Sequence, residues 1–288
     1  MKFIFVYLTL INILIALEVE VVSWKIPNGQ TALLEFKETK GLKYKSVEVG
    51  NKSFTIFSKP NDKTRKYVLI PFSYYEKIEN KTLIIHYKQD KKEQRESLLL
   101  KVINGKYTKE EIHVDSAKVN PRSKELKKRI LEEYNEAMRI YSTVTEKSYI
   151  SKPFIWPLNS KITSSFGKAR VYNGSHKGYH SGTDFRAAIG TRIIAVNDAR
   201  VALVKKRFYS GGTVLLNHGE GIYTCYFHMS VFKVKEGQMV RQGDVLGLSG
   251  QSGRVTGPHL HFSARINTVQ VDPLQLISLL NKNLLTGN

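Results

Sequence analysis

From Val21 to Val114 the chain alternates short apolar runs with polar breaks. Thr31–Phe36, Lys45–Val49, Ser53–Ser58, Tyr67–Phe72, Thr82–Tyr87 and Ser97–Val102 are rich in Val, Ile, Leu, Phe and Tyr, and polar breaks such as Asn28-Gly29, Gly50-Asn51-Lys52 and Pro60-Asn61-Asp62 fall between them. Short strands at near-regular spacing with turn signals between them predict a small β-sandwich or barrel-like module over residues 21–115. His86 sits among apolar neighbours in Leu83-Ile84-Ile85-His86-Tyr87, and His113 lies in Glu111-Ile112-His113-Val114. Both read as strand-face histidines, and the module holds no constellation that carries chemistry.

At Ser123 the period changes. Leu126, Ile130, Tyr134, Ala137, Tyr141 and Val144 recur at three- and four-residue steps, which places them on one face of an amphipathic helix. Pro121 and Ser123 suit its start. Residues 116–150 therefore read as a helical connector. Beyond Pro153 and Pro157 the pattern is β again and punctuated by glycine, which predicts strands at Thr191–Val196, Arg200–Lys205, Thr213–Asn217, Ile222–Phe227, Asp244–Leu248 and His259–Ile266, with a helical tail at Pro273–Leu280. The whole is mainly β, with a second β domain over residues 151–288.

The first residues stand apart. Lys2 precedes an apolar run, Phe3–Leu17, broken only by Thr9 and Asn12. That is the pattern of an export signal, and it is short for a membrane span of roughly 20 residues. Leu17-Glu18-Val19-Glu20 is a poor cleavage site, so residues 1–20 read as a signal peptide or an N-terminal anchor. Export to the periplasm or cell envelope is expected, with membrane contact only through this segment. The charge agrees with an anionic setting: 45 Lys+Arg against 25 Asp+Glu give a net +20 over 288 residues. Such a surface attracts polyanions, and anionic envelope polymers are candidate partners. No finger, RNA-binding signature or aromatic–arginine interleaving favours nucleic acid. Cys225 is the single cysteine, which excludes an intrachain disulfide and a Cys-ligated metal site; it reads as a core residue.

The chemistry concentrates between Gly178 and Phe262. His180-Ser-Gly-Thr-Asp184, Tyr226-Phe227-His228 and His259-Leu-His261 supply four imidazoles and a carboxylate. Two imidazoles and one carboxylate satisfy three positions of a tetrahedral zinc and leave the fourth open, as catalytic sites require. His259 and His261 are two apart on a predicted strand and share a face. His218, in Asn217-His218-Gly219, reads as a turn residue, and His176 as a loop residue near the first motif.

These motifs resemble the lysostaphin/LytM-type zinc metallopeptidases, enzymes that cut peptide cross-links in bacterial peptidoglycan, whose fingerprint is His-x-x-x-Asp followed downstream by His-x-His. Ser165-Phe166-Gly167 with Arg170, Gly190-Thr191, Lys235-Glu236-Gly237 and Thr256-Gly257-Pro258 match the surrounding scaffold, so the resemblance covers about residues 150–278. Arg192 stands where proline is common and Ala199 where glycine is common. The resemblance implies an antiparallel β peptidase domain of the duplicated hybrid motif type. It implies one Zn2+ held by His180, Asp184 and His261, with His228 and His259 as non-ligand catalytic histidines. His259 is the expected base, and His228 steadies the oxyanion or the water. It further implies a D,D-endopeptidase acting on peptidoglycan stem peptides, with the N-terminal module positioning the enzyme or shielding its groove. The competing expectation is a non-enzymatic envelope protein that binds the wall or activates other wall hydrolases. The five intact positions argue against it.

Overall fold

The computed structural model describes residues 17–114, 116–119, 121–174 and 176–285. Most of the expected signal or anchor lies outside the described residues. Its last two positions, Val19 and Glu20, belong instead to a strand, Val19–Val21, of the first sheet. Among the described residues no helix is long and apolar enough to cross a membrane.

The chain is mainly β, as its pattern predicts, and the N-terminal module is a sandwich. One sheet runs Val19–Val21, Thr31–Lys37, Asp62–Pro71, Phe57–Lys59; the other runs Lys25–Pro27, Lys92–Ile103, Asn80–Gln89, Leu42–Val49, Lys52–Thr55. Leu34, Phe36, Val68 and Ile70 meet Val47, Leu83, Ile85 and Val102 between them. The predicted strand Ser53–Ser58 is two strands, Lys52–Thr55 and Phe57–Lys59, in different sheets. The chain changes layers at Ile56, which packs partly buried against this core.

The first sheet is buried on both faces. Leu33, Tyr67 and Leu69 point away from the sandwich into the largest core, beside Val201, Val214, Phe262 and Leu276 of the C-terminal half. Gln275, in the Pro273–Leu280 helix, both accepts from the Thr31 N–H and donates to the Thr31 carbonyl, each at 3.0 Å. Tyr67 donates to the carboxylate of Glu220, which sits in a turn between Gly219 and Gly221. The two halves therefore share a core.

The C-terminal half is built on one antiparallel sheet: Ile162–Ser164, Thr183–Arg186, His259–Ile266, Ile222–Met229, Gly211–Asn217, Ala199–Arg207, Met239–Val240, with Val269–Val271 beside His259–Ile266. Along His259–Ile266, Leu260, Phe262, Ala264 and Ile266 enter the core, so His259, His261, Ser263 and Arg265 take the other face. Three short polar strands escape the periodicity argument: Lys109–Ile112 pairs parallel with Ala169–Tyr172, which pairs with His176–Tyr179. His176 is thus a strand residue, not a loop residue. His113 is also misplaced by the pattern, because it lies beyond the end of Lys109–Ile112 and is exposed. His86 is on a strand, 3.1 Å from Glu48.

The connector helix spans Lys124–Tyr141, capped by Ser123 Oγ, which accepts from the Leu126 N–H at 3.2 Å; such a cap contributes about 1 kcal/mol. At the other end the Tyr223 hydroxyl binds the carbonyls of Ile140 and Thr143 at 2.7 and 2.8 Å, tying the helix end and the following turn to the sheet. Val144 therefore falls past the helix, and only Ala137 and Tyr141 of its apolar face are fully buried. They pack on Leu203, Leu215, Tyr223 and Cys225.

Burial pushes the Glu220 carboxyl up to about 7 from 4.5. A carboxyl raised in the folded state holds its proton where the unfolded chain has lost it. Its contribution is therefore fully present below about 4.5 and is lost as pH rises toward 7. Glu220→Gln should leave stability near the wild type at pH 5 and raise it by on the order of 2 kcal/mol at pH 8. Denaturant melts at the two pH values check this; equal differences at both would contradict it.

Candidate active site

Strand pairing assembles the site. Asp184 lies opposite His261 in the antiparallel register, and His180 reaches the same point from the preceding turn. Asp184 Oδ1 is 2.9 Å from His180 Nε2 and 2.8 Å from His261 Nδ1, and those two nitrogens are 3.0 Å apart. The turn needs Gly182 for space: a Cβ there would lie 2.4 Å from the Phe262 carbonyl and 2.5 Å from His261 Nε2.

The donor set fits a metal cation. His180 Nδ1 is 2.8 Å from the Ser165 carbonyl, which can only accept. The proton of a neutral ring therefore sits on Nδ1 and leaves a lone pair on Nε2, facing Asp184. Burial would raise the Asp184 carboxyl, but the close His180 and His261 rings outweigh it and hold the group well below the usual carboxylate range. Burial pushes the His261 imidazole down to about 4 against the pull of Asp184. Three buried electron-pair donors converging on one point are a set that could hold a metal cation.

The other two histidines stand beside this point. His259 Nε2 is 3.6 Å from Asp184 Oδ1, and its Nδ1 faces the Gly257 carbonyl at 2.9 Å. His228 Nδ1 faces the Ser252 carbonyl at 2.8 Å, and the His228 and His259 ring centroids are 4.8 Å apart. In both rings the carbonyl fixes the proton on Nδ1 and leaves Nε2 as an acceptor. Burial first, then His261 and His259, push His228 well below the usual imidazole value.

His228 reaches this position through a backbone device. Phe227 pairs with His261 and stacks on it, on the open face of the sheet, so alternation would send His228 into the core. Its φ of +64° breaks the alternation and turns the ring back toward His259. A non-glycine residue at positive φ costs energy, and such costs concentrate at functional sites.

Two residues support the site: Arg170, which the sequence places in the scaffold without a role, and Glu110, which it does not single out. Arg170 Nη2 binds Asp184 Oδ2 at 3.2 Å, the oxygen not facing the histidines. Glu110 binds Arg170 Nε at 3.0 Å and Lys168 Nζ at 3.1 Å, and accepts from Ser164 Oγ, which lies 3.2 Å from His180 Nδ1. Glu110 therefore reaches the surroundings of two of the three donors. It comes from a stretch whose sequence holds no visible chemistry, on a strand too short and polar to announce itself. His218 is outside the site: both ring nitrogens are bonded at 2.8 Å, to the Asp198 carbonyl and Thr224 Oγ1, and burial pushes it down to about 4.

Comparison with known proteins bears on this geometry. Residues 178–273 match the model of peptidase family M23. The peptidoglycan DD-endopeptidase ShyA of Vibrio cholerae is 41% identical over 110 residues, which is 37% of this chain and 26% of ShyA. The DD-carboxypeptidase/endopeptidase Mpg of Neisseria meningitidis is 38% identical over 118 residues, 41% of this chain and 27% of Mpg. The chain thus matches about a quarter of the length of these relatives. A crystal structure of an M23 peptidase from Pseudomonas aeruginosa superposes over 87% of this chain and 94% of its own, with a TM-score of 0.66 at 24% identity, a likeness of fold. The His-x-x-x-Asp and His-x-His residues converge in space, and the stretch that matches peptidase family M23, residues 178–273, contains all of them.

Proposed function

We propose that the protein is an exported zinc-dependent endopeptidase that hydrolyses peptide cross-links of bacterial peptidoglycan, as a D,D-endopeptidase, in the periplasm or cell envelope. The observation that carries the reading is the convergence of His180, Asp184 and His261 with two further imidazoles whose free Nε2 atoms accept protons. Three protein donors leave a zinc with an open position, which distinguishes a catalytic from a structural site. The relatives named as peptidoglycan endopeptidases support the substrate class. Export rests on Lys2 and the apolar run that follows, and the net charge of +20 suits an anionic wall.

Zinc bound by the three donors would supply Lewis acidity, polarising the scissile carbonyl and acidifying water toward a pKa of ~7. The chain's own residues do the rest. The Ser165 carbonyl fixes the His180 tautomer and burial keeps His261 neutral, so both would turn a lone pair toward the cation. Arg170 orients the Asp184 carboxylate by binding Oδ2. His259, the more open of the two free imidazoles, takes a proton from the attacking water at Nε2 and returns it to the leaving amine. His228, buried and neutral, accepts a hydrogen bond from the same water and orients it.

Digestion of purified peptidoglycan should release peptide products from the wild type and cease with a chelator. His259→Ala should keep the metal and lose roughly 10²–10⁴-fold in rate. Product release by that variant at the wild-type rate would refute the assigned base, and wild-type protein purified without metal would sink the zinc site. Glu110→Gln should weaken metal retention by roughly 10–100-fold, the usual effect of removing an outer-shell partner. Competition with a chromogenic chelator reads this directly; an affinity equal to the wild type would remove Glu110 from the site.

A further inference from the structure

The Lys124–Tyr141 helix crosses the same sheet face that carries His259 and His261, and it is only half seated. Ala137 and Tyr141 are buried against the sheet, while Leu131 and Tyr134 are each 58% exposed. They border a cavity of about 560 Å³ between the helix and the sheet. That volume is in the range of pockets that hold small molecules or a few peptide residues.

The cavity adjoins the active site. Phe227 lines it and stacks on His261, with ring centroids 5.4 Å apart and planes 7° from parallel. Ser181 lines it and follows His180 in the chain. Ser210 lines it, and its carbonyl accepts the His228 N–H at 2.9 Å. The helix wall lies outside residues 178–273, the stretch matched by the family model.

The charges select an occupant. Lys127, Arg207 and Arg265 line the cavity against one acid, Glu133. Glu133 is already engaged by Arg129 Nε at 2.8 Å and the Phe208 N–H at 2.9 Å. Arg207 Nε is buried without a hydrogen-bond partner among the described residues. The excess of cationic side chains on the lining favours an anionic occupant.

We propose that this cavity is a subsite for an anionic stretch of the peptide whose bond is cut, with apolar groups on Leu131 and Tyr134 and a carboxylate on the Lys127–Arg207 side. The inference rests on the peptidase reading of the adjoining site. It makes the connector helix one wall of the substrate groove and a determinant of which peptides are accepted.

The test uses the full chain carrying His259→Ala, so that binding is measured without turnover. The probes are a soluble cross-linked stem peptide and the same peptide with its carboxylates converted to carboxamides, titrated by calorimetry. Lys127→Glu is expected to weaken binding of the carboxylate form about tenfold, with Lys127→Arg restoring it. The carboxamide form should bind about tenfold more weakly, and Lys127→Glu should no longer distinguish the two. Leu131→Ser should weaken both forms alike. Affinities within twofold of the parent in Lys127→Glu and Leu131→Ser, or no binding of either probe, overturn the subsite. Self-association of the parent that Leu131→Ser abolishes, with peptide affinity unchanged, would assign the face to a second copy and overturn it as well. Failure of the wild type to cut peptidoglycan would sink the proposed function separately, since the calorimetry needs no cleavage.

Discussion

A single carboxylate oxygen sets the terms for the site. Asp184 Oδ1 lies within 3 Å of two imidazole nitrogens, all three buried. Donors of lone pairs crowded in a dry place repel one another unless a cation joins them. The surrounding structure supplies the geometry for that cation. The Thr183–Arg186 and His259–Ile266 register sets Asp184 opposite His261, Gly182 clears space for the turn, and the Ser165 carbonyl fixes the His180 tautomer. Arg170 neutralises the outer carboxylate oxygen, and Glu110 holds Arg170.

That chain of support does not stop at the edge of the matched domain. Glu110 arrives on a strand laid parallel to Ala169–Tyr172, and the connector helix lies on the open sheet face. Behind the sheet, the Thr31–Lys37 and Asp62–Pro71 strands bury one face in the N-terminal sandwich and the other in the core of the C-terminal half. A strand buried on both sides cannot be removed without exposing apolar surface on both. The N-terminal half is thus part of the scaffold that holds the site, which gives it a supporting role whether or not it also shields the groove.

What could be read in the sequence followed periodicity. His259–Ile266 and Pro273–Leu280 have the predicted bounds, since alternating or helical apolar spacing runs their full length. His180, Asp184, His228, His259 and His261 lie together, brought there largely by strand register. What stayed hidden has no periodic signature. His228 reaches the site by a positive φ that its sequence position does not reveal. Glu110 sits on a four-residue polar strand, and Ser53–Ser58 divides between sheets at Ile56. The helix ends at Tyr141, where Tyr223 binds the Ile140 and Thr143 carbonyls, a long-range contact.

The exposed part of the helix face follows from the same reasoning. Leu126, Ile130, Tyr134, Ala137 and Tyr141 share one apolar stripe, yet the sheet fills only its C-terminal end. A stripe of this length serves stability only where it is covered, and leaving Leu131 and Tyr134 in water forfeits on the order of 1–2 kcal/mol per side chain relative to burial. The exposed stretch lies beside Phe227, and Phe227 lies on His261. Apolar surface left open next to a reactive centre is the arrangement expected when the missing cover is the substrate.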